Sequence, residues 1–394
     1  MLKELTVRFT VATEVCRDLV SHDQDARNPF RIMIPLIQEV EYLQAIVIAT
    51  SALHISVRHR NRGQPVNQEL VDALSAKDKA IRLLHSAIDR ATPASQTTIL
   101  TAIVFFVNLD LIESGKGVWD THIKAAEILI SSLHRPGEHV SSPLTPLADA
   151  IAADCLTYRI LGSTISAAGS TADVVRDSID VVSVLQRGET HSYHCCPPFI
   201  MKVILLTSQL FSTDPSQPDS RHADSAASLL GLAHSFDVRG WVYSIQGLSP
   251  DDDLEARVTI ASAHRAGASL YIRLVASGPE DGLDVFPNCE ELVLEIFHHL
   301  SSIPIDHVLL KGTIWPTFMA AAQTNDPTWR SWCMDRLGAM YTANPFICPW
   351  GYIRTAMETL QWVWDSKAVG HEGDEESTNW LHRLRTSSET CLIV

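Results

Sequence analysis

The stretch "HSYHCCPPFI", His191 to Ile200, puts two histidines and two cysteines within six positions and follows them with two prolines. Imidazole nitrogen and thiolate sulfur are the donors zinc prefers, and a cysteine beside a histidine can also be a nucleophile beside its base. His191 and His194 have the spacing of one zinc-ligand pair. A structural zinc needs four donors converging tetrahedrally, usually as two spaced pairs. Here His194, Cys195 and Cys196 are consecutive, so their side chains diverge, and no second pair of comparable spacing occurs. Pro197 and Pro198 suit the first turn of a helix, where a missing N–H costs nothing. The stretch therefore reads as the entrance to the helix "PPFIMKVILLTSQLF", with both cysteines packed there as small hydrophobes. No metal and no cofactor is expected.

Four other groups are candidates for acid–base work: His122, Asp120, His54 and His299. They would serve an enzyme of cyclase or isomerase type acting on an apolar intermediate. Asp120 and His122, in "WDTH", are close enough in sequence to pair, but an Asp at a helix start is already explained by capping and the helix dipole. There is no H-E-x-x-H, no G-x-S-x-G, no Walker loop and no G-x-G-x-x-G after a strand. The aromatic residues suggest binding instead. Trp315, Phe318 and Met319 fall on one predicted helix, Trp332, Met334 and Met340 on the next, and Met357, Trp362 and Trp364 on the last. Trp and Met make broad, adaptable apolar walls, which suits a flat or chain-like metabolite held between helices; core packing is the alternative. Trp241 is expected in a loop away from this set.

The elements that must hold these residues are helical. The 394 residues are 46% hydrophobic and 20% charged, enough to bury a large core. In "NQELVDALSAKDKAIRLLHSAID" the residues Leu70, Leu74, Ile81, Leu84 and Ile88 form a stripe at helical spacing. Uniformly apolar helices are predicted for "EYLQAIVIATSALHISVRH" and "SQTTILTAIVFFVNLDLI", the latter with Ser95 or Thr97 as N-cap. Further helices are predicted near 144–166, 172–187, 196–212, 221–236, 253–275, 287–302, 306–322, 326–342 and 349–366. "DVVSVL", Asp180 to Leu185, is the best strand candidate. The expected fold is all-α, a large single helical domain of roughly a dozen packed antiparallel helices spanning 1–394.

The formal net charge is −15, and the densest basic stretch, "RHRNRG", is a short predicted loop. Direct nucleic-acid binding by this chain is not expected. Eight scattered cysteines without a regular framework fit reduced, buried thiols. The N-terminus lacks the apolar centre of a signal peptide. The most apolar run, Ile99 to Ile112, is interrupted by Asn108 and Asp110 and is shorter than the roughly 20 residues of a membrane span. The tail "CLIV" has the outline of a prenylation box, but its last residue is not a favoured one and no polybasic segment precedes it.

The order of these pieces resembles the regulatory domain of fungal-specific transcription factors. Near the front, "NPFRIMIPLIQEVEYLQAIVIATSALHIS" and "ESGKGVWDTHIKAAEILI" are similar to that family's opening patterns. Cys196-Pro197 falls on its Cys-Pro helix entrance, with Cys195 where a Gly is usual. Trp315-Pro316, Asp326-Pro327-Thr328-Trp329-Arg330 and Leu360-Gln361-Trp362-Val363-Trp364 resemble its closing motifs, with Ala321 and Ala322 replacing an expected glycine. The resemblance implies a nuclear regulator of metabolic genes, secondary metabolism among them. It also implies co-regulator partners, homodimers, and in some members a small apolar metabolite such as a sterol as ligand. The family's six-cysteine zinc cluster is missing here, so this chain is either a regulatory-domain fragment or a protein without its own DNA reader. Purified protein should contain well under one zinc per chain. Stoichiometric zinc on elemental analysis, lost on His191→Ala, would overturn the structural reading of the His/Cys stretch.

Overall fold

The computed structural model describes residues 14–24, 27–65, 67–133, 142–166, 179–211, 220–276, 286–342, 350–369, 379–387 and 391–394. The described residues are helical, with no strand; the sole β-type pairing among them is an isolated bridge between Lys116 and Cys391. The principal helices are α1 (Glu41–Asn61), α2 (Asn67–Ile88), α3 (Gln96–Glu113), α4 (Trp119–Leu133), α5 (Thr145–Ile165), α6 (Val181–Gly188), α7 (Pro198–Phe211) and α8 (Ser220–Ser235). They continue with α9 (Val238–Ser244), α10 (Leu254–Val275), α11 (Cys289–Ser301), α12 (Ile314–Gln323), α13 (Pro327–Thr342), α14 (Gly351–Val369) and α15 (Trp380–Thr386).

Six of these close a ring of neighbours, in which α3 packs on α5, α5 on α7, α7 on α10, α10 on α12, α12 on α14, and α14 back on α3. Their sequences explain that position. A helix that is apolar all round has no face for water and must be central. Every residue of α3 from Thr98 to Ile112 is buried, Asn108 and Asp110 included, so this helix is packed as a core element, although with the turn before it (Pro93–Glu113) it is long and apolar enough by length and composition to cross a membrane, against the expectation of too short a run. Helix α5 is buried from Ala150 to Ile165, and α10 from Ile260 to Leu274 with Arg265 as an exception. Amphipathic α2, α4 and α11 lie outside the ring against α1, α3 and α10 respectively.

Local chemistry sets the ends. Asp180, Asp237 and Asp253 each accept a backbone N–H in the first turn of α6, α9 and α10, and Asn288 forms a reciprocal capping box with Glu291 at α11. The cap at Asp180 explains why "DVVSVL" is helix α6 and not a strand: Val181, Val184, Leu185 and Gly188 are buried at helical spacing, and this overrides the β preference of valine. Residues 172–178 of the helix predicted near 172–187 lie outside the described residues.

Four more expectations are corrected. Leu74, Ile81 and Ile88 of α2 face solvent, while Ala73, Ala80 and Leu84 are buried, so small residues let α2 approach α1 closely. Ser95 stands at the N-cap position of α3 as expected, but its side chain makes no capping bond there, and Thr97 lies inside the helix. Thr92 closes a capping box with Ser95 around a 3-10 turn, Pro93–Ser95, that leads into it. Of "RHRNRG", Arg58 to Asn61 is the last turn of α1 and only the rest is loop. The helix expected near 306–322 begins at Ile314, after a 3-10 turn Leu310–Thr313, which leaves Pro316 in its first turn.

The closing motifs meet as packing. Asp326 Oδ1 accepts the Thr328 amide at 2.7 Å at the start of α13, and the Arg330 guanidinium lies 5.1 Å from the Trp364 ring centre. The segment Cys391–Val394 is buried: the Leu392 amide donates to Gly115 O at 2.8 Å, and the Tyr352 hydroxyl donates to Val394 O at 3.0 Å. With Cys391 4% exposed, its thiol is out of reach of a lipidating enzyme in the folded chain.

Cys195 is the only described non-glycine residue with positive φ, at 53°. That is the left-handed region, where a Cβ is strained, so the glycine usual at this position has a backbone reason. Cys195→Gly should be more stable than Cys195→Ala by about 0.5–1 kcal/mol, since both lose the sulfur but only Gly relieves the strain. Chemical denaturation of the two variants checks this; an Ala variant as stable as the Gly variant would show that the loop relaxes without help.

Candidate functional site

The His/Cys stretch enters α7 across a buried polar junction. Its first residue is tied to the N-terminal segment, the Ser21 amide donating to His191 O at 2.8 Å. Tyr193 and His194 then turn inward, both buried, with ring centres 4.1 Å apart, and His194 meets Tyr158 of α5 edge-on. The 3-10 turn before α12 lies directly beneath: a Cβ on Gly312 would sit 2.3 Å from Tyr193 O, so only glycine permits the contact. Its neighbour Lys311 is 8% exposed and points its ammonium at the face of Tyr193, 4.5 Å from the ring centre. The same ammonium donates to the carbonyls of Asp18 and Val20, each at 2.7 Å.

Burial governs the protonation states here. It pulls Lys311 down to about 8, against the opposing pull of Asp18 and Asp154. It pushes Asp154 of α5 up to about 8, with Lys311 opposing. His264 of α10 hydrogen-bonds Gly312 O at 2.9 Å, stacks on Trp315 at 5.7 Å, and is held down at about 4 by burial. Cys195 is pushed up to about 11, and Cys196 is also raised well above the ordinary thiol range, again by burial, so both thiols stay protonated. They are therefore poor nucleophiles and poor metal donors. Among the described residues, no three His, Cys, Asp or Glu side chains converge as a metal shell.

Beside this junction a small cleft of about 20 Å³ opens between α5, α6, α7, α9 and α10. Asp154, Glu189, Cys195, Cys196, Trp241 and Arg257 are among its walls. Arg257 is committed to Asp252 through two bonds, the shorter 2.6 Å, both side chains being 1% exposed. Trp241, expected in a loop, is on helix α9 and donates from its indole to Glu189 at 3.2 Å. Asp154 Oδ2 is buried without a hydrogen-bond partner.

The residues singled out in the sequence fall elsewhere. Asp120 is held by Arg159 at 2.8 Å and Lys124 at 2.6 Å. His122 stacks on Phe106 at 5.2 Å, with burial and Lys77 holding it down at about 4. His54 is buried 3.8 Å from Asp18, and His299 pairs with Glu295 at 3.8 Å on the outer helix α11. The four thus lie on three helices and answer to unrelated partners.

The aromatic set is spread over several packing environments. Trp315, Phe318, Met319 and Met340 are buried at 0–1% exposure. The Trp315 indole donates to Thr164 at 3.1 Å, Phe318 meets Trp380 edge-on, and Trp332 packs on Phe297 and Trp329. The Trp364 indole donates to Ala321 O at 2.9 Å, Met334 and Met357 are half-buried, and Trp362 is 43% exposed. Lys311, Asp154, Tyr193 and Arg257 were not singled out from the sequence. The available signal was a lysine and an aspartate inside otherwise apolar runs, "HVLLKGTIWP" and "IAADCL".

Asp154 gives this junction a pH signature. Its carboxyl is raised from an ordinary value near 4 to about 8, so the folded chain binds more protons than the unfolded one between these limits. Its contribution to stability is present below pH 4 and lost as pH rises toward 8. Asp154→Asn should therefore be favoured over the parent increasingly from pH 5 to pH 8. Urea midpoints of the two proteins at both pH values check this, and a constant difference would show that Asp154 is ionised throughout.

The model of the fungal-specific transcription factor domain matches residues 12–393. The acriflavine sensitivity control protein acr-2 of Neurospora crassa is 50% identical over 395 aligned positions, covering 97% of this chain and 66% of that protein. This chain thus spans just under two thirds of that relative's length. No solved structure matches. With the fold all-helical and the Cys-Pro, Trp-Pro and Asp-Pro motifs each at a helix entrance, the match runs along nearly the entire sequence, and the chain belongs to the fungal-specific transcription factor domain family.

Proposed function

We propose that this chain is the effector-responsive part of a transcriptional regulator that sets a fungal cell's sensitivity to toxic compounds. The observation that carries this reading is the near-complete alignment to a relative named for control of acriflavine sensitivity. The physical character of the chain agrees. A charge of −15 repels nucleic acid, so DNA contact would come from a separate module, while a ring of buried helices with polar groups at its centre can register a ligand. Such a regulator works in the nucleus, as a partner of co-regulators or of a second copy. An apolar metabolite at the aromatic set would have to displace packed side chains, so an effector is better sought at the polar cleft. The enzymatic alternative draws no support from its candidate groups, which lie on three helices and are each engaged with different partners.

Tethered to a heterologous DNA-binding module, the chain should change reporter transcription several-fold, and acriflavine in the medium should shift that output. A reporter that follows the DNA-binding module alone, with and without acriflavine, would sink the regulatory reading.

A further inference from the structure

We propose that the cleft between α5, α6, α7, α9 and α10 binds a small organic cation, an ammonium or amidinium on an aromatic body, through Asp154 and Glu189. The inference rests on the regulatory reading for its biological meaning, but its physical basis is separate.

Asp154 is 7% exposed, and its Oδ2 has no hydrogen-bond partner. A buried acceptor left unmade is costly, and such groups in folded proteins ordinarily have a partner. The cations nearby are already engaged. Arg257 is bound in bidentate fashion to Asp252, and the Lys311 ammonium is turned to two backbone carbonyls and to the face of Tyr193. The second carboxyl of the cleft, Glu189, accepts only the indole N–H of Trp241 and lies nearer the rim, half-buried. Two carboxyls thus share the cleft with no basic side chain bonded to either.

Size and surface narrow the class. The cleft, about 20 Å³ in all, takes a group the size of one ammonium, or a water molecule. Trp241 is the half-buried aromatic wall of the cleft, beside buried Pro198 and Met201, and its exposed indole edge suits a flat apolar body lying outside and adds a cation–aromatic attraction. A protonated amine or amidine on an aromatic ring meets both requirements: its N–H groups donate to Asp154, and its ring lies along Trp241. Because burial holds an empty Asp154 carboxyl up near 8, the incoming cation supplies the countercharge that keeps it ionised. Such a ligand sits at the entrance of α7, with the strained Cys195 itself in the wall. Occupancy would therefore be felt along the Tyr193–Lys311 contact that holds the N-terminal segment.

Calorimetric titration of the full chain at pH 8 with benzamidine, with its neutral isostere benzamide, and with the acridine cation proflavine tests this. Both cations should bind and benzamide should not. Asp154→Asn should weaken cation binding about tenfold or more, as expected for losing a charge-assisted contact. Glu189→Gln should weaken it several-fold, and Ile128→Ala, on the exposed face of α4, should leave it unchanged. Thermal melts of each variant confirm folding, and Glu189→Gln carries the test if Asp154→Asn does not fold. Equal binding of benzamide, undiminished binding by both carboxamide variants, or no heat from either cation at millimolar concentration would overturn the proposal. In the last case the cleft holds water only. A chain that binds no cation yet drives the tethered reporter loses the cleft and keeps the regulatory role; one that binds through Asp154 but leaves the reporter flat does the reverse.

Discussion

A single buried ammonium organises the centre of this molecule. Lys311 carries its charge into a region that excludes water, a placement that costs several kcal/mol unless the three N–H groups are satisfied. Two of them go to the carbonyls of Asp18 and Val20, and the face of Tyr193 takes up the remaining field. The N-terminal segment, the His/Cys stretch and the turn before α12 are far apart in sequence, and they meet at this one nitrogen. Gly312 makes the meeting sterically possible, because any side chain there would strike the backbone of Tyr193.

The closed ring of helices is the setting that makes so polar a centre expensive and therefore specific. Apolar contacts hold α3, α5, α7, α10, α12 and α14 together, and they would tolerate many small slides of one helix along another. Hydrogen bonds between buried groups tolerate few. Tyr158 donating to Asn108 ties α5 to α3. Trp315 donating to Thr164 ties α12 to α5. Arg385 reaching both Ser163 O and Tyr271 ties α15 to α5 and α10. Each bond has a directional partner on a different helix, so together they fix a register that packing alone leaves loose.

Membership of the transcription factor family gives several of its motifs a physical meaning. The Cys-Pro entrance matters because proline suits a first helical turn and because the residue before that pair occupies the left-handed region. The Asp-Pro-x-x-Arg start matters because Asp326 caps α13 while Arg330 spans to the Trp364 ring of the closing motif. Both are packing devices at helix ends, and beside the first of them an unmatched carboxyl and an indole share the wall of the cleft.

What could be known from the sequence was whatever depends on neighbours in the chain. Periodic apolar residues, capping aspartates and prolines at first turns act within a few positions, so most helices, the all-α class and the structural role of "HSYHCCPP" were legible. Where a local signal conflicted with a distant one it misled: valines at Val181, Val182 and Val184 suggested a strand until the Asp180 cap and burial on α5 and α7 decided for helix. In α2 the leucine and isoleucine stripe looked like the buried face, but the partner helix selected the alanines for close approach. The pairing of Lys311 with Asp18 and Val20, the unmatched Asp154 and the meeting of Glu189 with Trp241 bring together groups separated by tens to hundreds of positions. A side chain's charge state and partners depend on what surrounds it in space, and only the packing of the ring determined that.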